Sequence, residues 1–511
     1  MDEEQRLELP GVSADDWRQT PETVRNLVVE LVFKVERLEK KLKELEIENE
    51  RSREKSERTS ENSHSPPSSD PVSHPKREKK KPSGKKRGGQ PGHRGHSRPL
   101  YPESECQSVT DHHPKTCQSC GERLVGVDPN PYRHQVVEIP PLRPHVEEHR
   151  LHQLTCPCCG RKTRAVLPEE VEVSGYGPRV VAIVAVLSGM YRHSHRMVVS
   201  TLSDLFGVKI ALGTVNRLRQ EASESLEVPV DEAASYLRSA PIVGADETGF
   251  GQGNTDGKNP QNKRAWLWVL VTPLVSFFRV ALSRSTEAAR FLLGENFSGI
   301  LISDRYNAYN WVEVGQRQLC WAHLKREFTK IAERDGVSRQ LGRDLLAQQK
   351  KVFRLWRKVR DGTLDRERFR SLVFPLRQRV KSLLEQGADY PIGPKEKTPL
   401  AKTVRTCRQL LKVEPALWLF VTTEGVEPTN NASERAIRPA VLWRRTSFGS
   451  QSEAGSVFVA RMLTVVTSLR SQERNVLAFM TEAVQASRRA SPPPSLLPVE
   501  DSSGSSIPLL T

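Results

Sequence analysis

Ile242-Val243-Gly244-Ala245-Asp246-Glu247-Thr248 is a short apolar run that ends on acidic residues, and its reading decides the fold. An apolar stretch of this length, bounded by polar residues, fits a buried strand with Asp246 at its end. A Gly/Asn-rich turn follows. Residues 264–272, which contain Ala265-Trp266-Leu267-Trp268-Val269-Leu270-Val271, predict a second strand, and residues 275–282 predict a third. Their short connections point to an antiparallel meander. Gly299-Ile300-Leu301-Ile302-Ser303 predicts a fourth strand, and Asp304 stands at its end, before Arg305 and Tyr306. A third acid, Glu434, comes much later, in Thr429-Asn430-Asn431-Ala432-Ser433-Glu434-Arg435 at the opening of a helix.

The informative pattern is strand-Asp, meander, strand-Asp, helix-Glu. Cleaving a phosphodiester at neutral pH requires an activated water or hydroxyl and a means of holding charge on the leaving oxygen. Two divalent ions roughly 3.5–4 Å apart supply both, and carboxylates are the hard oxygen ligands that suit Mg2+ or Mn2+. Asp246, Asp304 and Glu434 are therefore the candidate catalytic and metal-binding residues. Each has a plainer alternative. Asp246 and Asp304 also read as turn acids after strands. Asn431 with Glu434 three residues on resembles a capping box, which would stabilise the helix without chemistry. Glu247 and Glu427 are the nearest competing carboxylates.

The chain around these acids is basic: 78 Lys and Arg against 62 Asp and Glu give a net charge of +16 over 511 residues. That balance favours a polyanionic partner, and the length allows roughly two to four domains. The longest apolar run, residues 180–187, falls far short of the roughly 20 residues that span a bilayer. The acidic opening Met1-Asp2-Glu3-Glu4-Gln5 lacks the apolar stretch of a secretory signal. The expectation is a cytoplasmic protein, bound to DNA for part of its life, with no membrane partner.

Eight cysteines are too few for a disulfide scaffold in a chain of this size. Four of them form matching knuckles, Cys117-Gln118-Ser119-Cys120-Gly121 and Cys156-Pro157-Cys158-Cys159-Gly160. A CxxC turn lets both sulfurs face one ion, the following Gly supplies permissive backbone, and two pairs complete a tetrahedral site for structural Zn2+. Cys158 is a substitute ligand, and His112 or His113 a weaker one. Residues 132–139 and 146–154 predict two strands closing a ribbon. A redox CxxC, the competing reading, is usually single and sits beside a βαβ unit.

Val24, Val28, Leu31, Val35, Leu38, Leu42 and Leu45 follow alternating steps of four and three, and Asn49 continues the series. Branched Val28 and Val35 with Leu31, Leu38 and Leu45 fit a parallel two-stranded coiled coil, with Asn49 as a register device. A homo-oligomer follows; an amphipathic helix docked on its own protein is the alternative. Residues 51–75 read as a disordered linker. Then Lys76, Arg77, Lys79, Lys80, Lys81, Lys85, Lys86 and Arg87 lead into Gly88-Gly89-Gln90-Pro91-Gly92-His93, a basic arm suited to releasing counterions from DNA phosphates. A solvated tether is the bland reading. Residues 198–206, the Gly207-Val208 turn and a helix opened by Thr214, with Asn216, Arg217 and Arg219 outward, follow helix-turn-helix order. Such spacing is also common in helical bundles.

Five of these stretches resemble the insertion-sequence-66 family of bacterial transposases. They are the arm Lys86-Arg87-Gly88-Gly89-Gln90-Pro91-Gly92-His93, the paired knuckles, Asp246-Glu247-Thr248, Asp304-Arg305-Tyr306-Asn307-Ala308-Tyr309, and Asn430-Asn431-Ala432-Ser433-Glu434-Arg435-Ala436-Ile437-Arg438-Pro439. The last is the most specific, and the similarity runs over roughly residues 25–485. It implies a multidomain protein with an RNase H-like α/β core, a mixed sheet with helices. Asp246, Asp304 and Glu434 would ligate a pair of Mg2+ or Mn2+ ions, with Glu247 left as a neighbour. Cys320-Trp321-Ala322-His323-Leu324-Lys325-Arg326 resembles a further family element. From it His323 is expected at the scissile phosphate and Arg326 on the DNA backbone, unless both only pack a helix against the sheet. Arg435, Arg438, Arg444 and Arg445 add positive charge near the third acid, suited to phosphate contacts.

The expected organisation is a coiled coil over 1–50, a linker and basic arm over 51–100, a zinc-binding domain over 101–170 and a helix-turn-helix-like region over 171–235. The catalytic core follows over 236–488, with a helical insertion at about 327–420, and a disordered tail over 489–511. The resemblance implies nicking of the element's terminal inverted repeats by an activated water. The exposed 3′-hydroxyls then attack target DNA in line, catalysed mainly by positioning and charge neutralisation. Accessory proteins of the same element are expected partners. The competing readings are a DNA-binding architectural or regulatory protein with an inactive core, and a metal-dependent nuclease that cuts without joining.

Overall fold

The computed structural model describes residues 14–57 and 98–498. The chain divides into two compact units, residues 73–219 and the remainder. At the start, α1 (Ala14–Gln19) precedes α2 (Glu22–Glu57), which runs on into the expected linker. Val24, Leu31, Val35 and Leu38, on the predicted seam, are all exposed. The side chains of Leu42, Leu45 and Asn49, and the basic-arm residues Lys79, Lys80, Lys81, Lys85, Lys86 and Arg87, lie outside the described residues.

In the unit covering residues 73–219, the two knuckles are built alike. The Gly121 N–H donates to the Cys117 carbonyl at 3.0 Å and the Gly160 N–H to the Cys156 carbonyl at 2.9 Å. Both glycines need the left-handed region, at φ +78° and +70°. Strands β1 (Gln153–Thr155) and β2 (Lys162–Arg164) form an antiparallel hairpin around the second knuckle. One bridge, Thr116 to Arg123, flanks the first. The strands expected at 132–139 and over most of 146–154 do not form. Pro131, Pro140, Pro141 and Pro144 flank the two segments, and the side chains there are mostly exposed, with no apolar face to cover.

Helices α3 (Pro178–Ala185), α4 (His195–Phe206) and α5 (Leu212–Ser225) follow. The Ser194 side chain caps α4 by accepting from the Met197 N–H, and Gly207 ends it at φ 64°. The next helix starts at Leu212, ahead of Thr214. Arg219 does not point outward as expected. Its Nη1 lies 2.6 Å from His195 Nε2, and burial lowers the Arg219 pKa to about 10.

In the other unit, α6 (Glu227–Ser239) leads into a five-stranded sheet. Its strands are β3 (Ile242–Phe250), β4 (Ala265–Val271), β5 (Ser276–Ala281), β6 (Ile300–Ser303) and β7 (Arg317–Leu319), in the order β5-β4-β3-β6-β7. Pairings β5–β4 and β4–β3 are antiparallel, the predicted meander; β3–β6 and β6–β7 are parallel. Helix α7 (Thr286–Leu293) connects the two halves. Beyond β7 come α8 (Trp321–Ala332), α9 (Val337–Arg360), α10 (Arg366–Ala388) and α11 (Pro399–Lys412), each packed on the next. These helices fill the stretch expected to be helical. The chain returns through α12 (Leu419–Thr422) to α13 (Asn431–Ser447), α14 (Glu453–Ser471) and α15 (Val476–Arg488). Helix α13 packs on β3 and β4, and α14 on β5.

Two expected boundaries shift. Helix α6 packs on β5 and α14, so the core takes in residues ahead of 236. The segment 489–498 is not a free tail: Leu496 is fully buried. Its N–H donates to Glu232 Oε2 at 2.9 Å, and Arg474 Nη1 donates to the Leu497 carbonyl at 3.1 Å. A single buried leucine holds an otherwise Ser/Pro-rich stretch.

Candidate active site

Strand register places the first two acids. The parallel pairing of β3 with β6 runs from Ile242–Ile300 to Gly244–Ile302. Two residues further along each strand come Asp246 and Asp304, so they stand side by side where the pairing ends, neighbouring strands being about 4.8 Å apart. The expected strand end at Asp246 is corrected: β3 continues to Phe250 against the longer β4, and Asp246 sits mid-strand, at the edge that β6 leaves open.

Alternation along β3 then separates the adjacent acids. Gly244, Asp246 and Thr248 share the face that α13 covers. A Cβ on Gly244 would come within 2.5 Å of Ser433 Oγ and 3.2 Å of Asn430 Oδ1, so glycine is what lets the helix approach. Arg444 Nη1, further along α13, donates to Thr248 Oγ1 at 3.0 Å. Glu247 belongs to the other face. Arg284 Nη2 donates to its Oε1 at 2.6 Å, and the Tyr309 hydroxyl donates to its Oε2 at 2.6 Å. Glu247 is thus occupied in a buried structural pair. The Asp246 Oδ1 accepts from the Glu247 N–H at 2.9 Å. Burial, and then the charges of Glu247, Asp304 and Glu434, push the Asp246 carboxyl well above the usual carboxylate range.

Glu434 arrives on the first turn of α13. The residue preceding that helix is Asn430, and its side chain makes no cap. Instead its Nδ2 donates to the Ala245 carbonyl at 2.7 Å, and its Oδ1 accepts from Ser433 Oγ at 2.6 Å. Its backbone N–H donates to Cys320 Sγ at 3.2 Å. Asn430 therefore fastens the helix to β3, and the capping-box alternative for Glu434 is not built. Glu434 Oε1 is buried without a hydrogen-bond partner, as is His323 Nδ1, and the two atoms lie 3.7 Å apart. Burial raises the Glu434 pKa; Arg326 opposes and Asp304 adds to the rise. Burial, then Arg326, pushes the His323 imidazole down to about 4.

The long excursion through the insertion is closed at its base. Gln318 Nε2 donates to the Leu417 carbonyl at 3.3 Å, and Gln318 Oε1 accepts from the Phe420 N–H at 2.8 Å. Trp321 Nε1 donates to the Leu417 carbonyl at 2.6 Å, and the Trp321 N–H to the Pro428 carbonyl at 2.8 Å. The chain re-enters beside the point where it left, which delivers Asn430 and Glu434 to β3. Sequence reasoning missed Gly244, Gln318 and Asn430. A glycine inside a strand pattern signals close backbone approach; Asn430 stands in the most specific family string without a role assigned to it, and nothing marks Gln318 in advance.

A cleft of about 350 Å3 is lined by residues that include Asp304, Arg305, Cys320, His323 and Arg326. Arg435 and Arg438 are exposed on α13. Among the described residues, the set of metal-ligating atoms lying within 4.8 Å of one another comes from Cys320, His323 and Glu434. The three acids do not form such a set, and neither do the four knuckle cysteines. Within each knuckle, however, backbone N–H groups lower the first thiol's pKa: those of Cys120 and Ser119 for Cys117, and those of Cys159 and Cys158 for Cys156.

A Cys-rich, zinc-ribbon-like segment ahead of a mixed α/β unit is consistent with the architecture of a DDE transposase. Residues 174–457 match the transposase IS66 family, and residues 114–160 match the zinc-finger binding domain of transposase IS66. The first match covers more than half of the chain, and the chain belongs to the IS66 family of transposases. Residues 10–99 match a family of unknown function. The uncharacterized protein y4qI of Sinorhizobium fredii is 27% identical over 308 residues, 54% of this chain and 53% of that protein. The uncharacterized protein y4hP of the same organism is 22% identical over 417 residues, 76% of this chain and 73% of that protein. The chain thus spans about half the length of the first relative. No helix among the described residues is long and apolar enough to cross a membrane.

Proposed function

We propose that this chain binds the ends of an insertion sequence and cuts and joins DNA strands with Asp246, Asp304 and Glu434. The observation that carries this reading is the β3–β6 register, which sets Asp246 beside Asp304, under the helix whose first turn holds Glu434. The sheet order, an antiparallel meander extended by two parallel strands, supports an RNase H-like core.

The donor set fits hard divalent ions. It consists of carboxylates, one of which has a buried oxygen without a partner, and Asp246 carries a repulsion from its neighbours that a dication relieves. Two ions about 4 Å apart, with ligand bonds near 2.1 Å, accommodate outer carboxylates up to ~8 Å apart. The acids therefore need not share a 4.8 Å span. Asp246, Asp304 and Glu434 would hold Mg2+ or Mn2+, which supply nucleophile activation and neutralisation of the leaving oxygen. His323 and Arg326, in the cleft beside Asp304, contact the scissile phosphate and the backbone next to it. Arg435 and Arg438 hold the flanking strand, and the basic arm adds sequence-independent affinity. Cys117, Cys120, Cys156 and Cys159 hold one structural zinc, and the exposed seam of α2 pairs with a second copy.

The test is purified protein with Mg2+ or Mn2+ and a duplex carrying the terminal repeats. Strand-transfer product is expected. Nicking without joining would reduce the protein to a nuclease, and binding without cleavage would leave an architectural DNA binder.

A further inference from the structure

We propose that Cys320, His323 and Glu434 form a second metal site, selective for thiophilic Zn2+, which draws Glu434 away from the catalytic acids and so inhibits cleavage. The inhibitory part rests on the function proposed above; the site itself does not. Its ligand atoms already lie within 4.8 Å of one another. Tetrahedral zinc, with bonds of about 2.3 Å to sulfur and 2.0–2.2 Å to nitrogen and oxygen, needs them roughly 3.2–3.8 Å apart, a range that the 3.7 Å between His323 Nδ1 and Glu434 Oε1 already meets.

The scaffold is rigid. Cys320 is the residue that precedes α8, and His323, three positions on, lies on the same helical face. Glu434 stands on the first turn of α13, and the two helix starts are joined by the Asn430 N–H donating to Cys320 Sγ at 3.2 Å. Two ligand atoms, His323 Nδ1 and Glu434 Oε1, are buried and lack any hydrogen-bond partner. Such atoms are costly to bury and are accounted for if they serve a ligand.

The chemistry selects the ion. One sulfur, one imidazole nitrogen and one carboxylate oxygen suit Zn2+ and disfavour Mg2+, which demands oxygen ligands. On binding, the Cys320 thiol releases one proton to solvent, and thiolate plus carboxylate balance the dication. Entry is provided by the cleft, which both Cys320 and His323 line. Arg326 also faces that cleft, opposed by Asp304 and Glu327. With three protein ligands, the fourth position is left to water. A Glu434 bound here leaves the Asp246–Asp304 pair without its third carboxylate.

The experiment is zinc stoichiometry of the full-length protein, measured without DNA, followed by zinc titration of Mg2+-supported cleavage. Wild type is expected to bind one more Zn2+ per chain than Cys320→Ser, which retains an acceptor for the Asn430 N–H. His323→Ala serves as a second variant in case that substitution impairs folding. Co2+ substitution should add a thiolate charge-transfer band that survives Cys117→Ser/Cys156→Ser and disappears in Cys320→Ser. Equal stoichiometry in wild type, Cys320→Ser and His323→Ala overturns the site. Zinc should inhibit wild-type cleavage at a concentration roughly tenfold or more below that needed for Cys320→Ser, each measured against its own zinc-free rate. Equal inhibition of the two, with the extra ion bound, overturns the inhibitory role. A protein that binds the extra zinc and never cleaves DNA keeps the site and removes the catalytic reading.

Discussion

The five-stranded sheet and the knuckle segment are held together in opposite ways. In the sheet, Val243, Ala245, Leu267, Val269 and Leu301 are fully buried. Burying such side chains contributes about 1.5–3 kcal/mol each for the larger ones. The neighbouring acid Glu247 accepts hydrogen bonds from Arg284 and Tyr309. This fold is complete from its own side chains, and burial with neighbouring charges raises the pKa of Asp246 and Glu434. From residue 98 to residue 180 no side chain is buried. Val125, Val127 and Tyr132 are about 90% exposed, and up to residue 177 the regular structure consists of one 3-10 turn at Glu103–Glu105 and two three-residue strands. Two well-formed knuckles stand in a segment without an apolar core. On the proposed function, the sheet uses ions for chemistry because it does not need them to fold, whereas the knuckle segment offers thiols because it has little else to fold around.

The harshest way to break that contrast is to remove the proposed zinc. Structural zinc in small domains is worth about 10–16 kcal/mol of apparent binding free energy, which is folding free energy where no core exists. Chelation, or Cys117→Ser with Cys156→Ser, should leave residues 101–170 rapidly cleaved by protease while the catalytic unit stays resistant. Equal protection with and without zinc would show that this segment folds by other means. Next in size is Asp304→Asn. Removing a carboxylate from the proposed triad should lower cleavage about a thousandfold or more, roughly 4 kcal/mol of barrier, with DNA affinity nearly unchanged. Normal cutting by this variant would take Asp304 out of the site.

What the sequence made legible follows the same division. The meander, Asp304 at the end of β6 and the long helical stretch were all readable, because apolar runs with turn signals record burial directly. The extent of β3 was not: strand length depends on its partner, and β4 carries it past Asp246 to Phe250. Strand β7 was missed because Arg317 and Gln318 are polar, and Gln318 is buried only to bind the returning chain at Leu417 and Phe420. The predicted ribbon strands at 132–139 and 146–154 failed for a related reason. Alternating apolar residues specify a strand only where a surface exists to cover them. The Asn431–Glu434 spacing matched a capping box, yet the helix begins one residue earlier and Asn430 binds the sheet instead.

That fastening suggests a third, smaller perturbation. Gly244→Ala places a methyl group 2.5 Å from Ser433 Oγ and 3.0 Å from Val271 Cγ2. Overpacking of this kind costs about 1–3 kcal/mol, and the helix it displaces carries Glu434. A shift near 1 Å at a reacting centre is worth about a hundredfold in rate. Cleavage should therefore fall by about that factor while the protein stays folded by circular dichroism. A loss of stability with no loss of rate would mean that the approach of α13 to β3 does not set the position of Glu434.

The finest test concerns the charge on Asp246. An ordinary aspartate titrates near 3.9, whereas Asp246 is pushed well above that range by burial and by Glu247, Asp304 and Glu434. Between the two values the folded chain binds a proton that the unfolded chain has lost. Stability of the magnesium-free protein should therefore fall as pH rises through this window and stay low above it. Glu247 and Glu434, raised as well, act in the same direction. Asp246→Asn removes the largest part of the effect. It should melt higher than wild type at neutral pH, by about 1–3 kcal/mol in stability, the scale of an unsatisfied buried polar group. The difference should vanish well below pH ~4, where the aspartate is protonated in both states. Mg2+ should raise the melting temperature of wild type and leave that of Asp246→Asn nearly unchanged. A variant no more stable than wild type at neutral pH would mean that Asp246 is already compensated by the protein. The sheet would then have no unpaired charge to offer an ion.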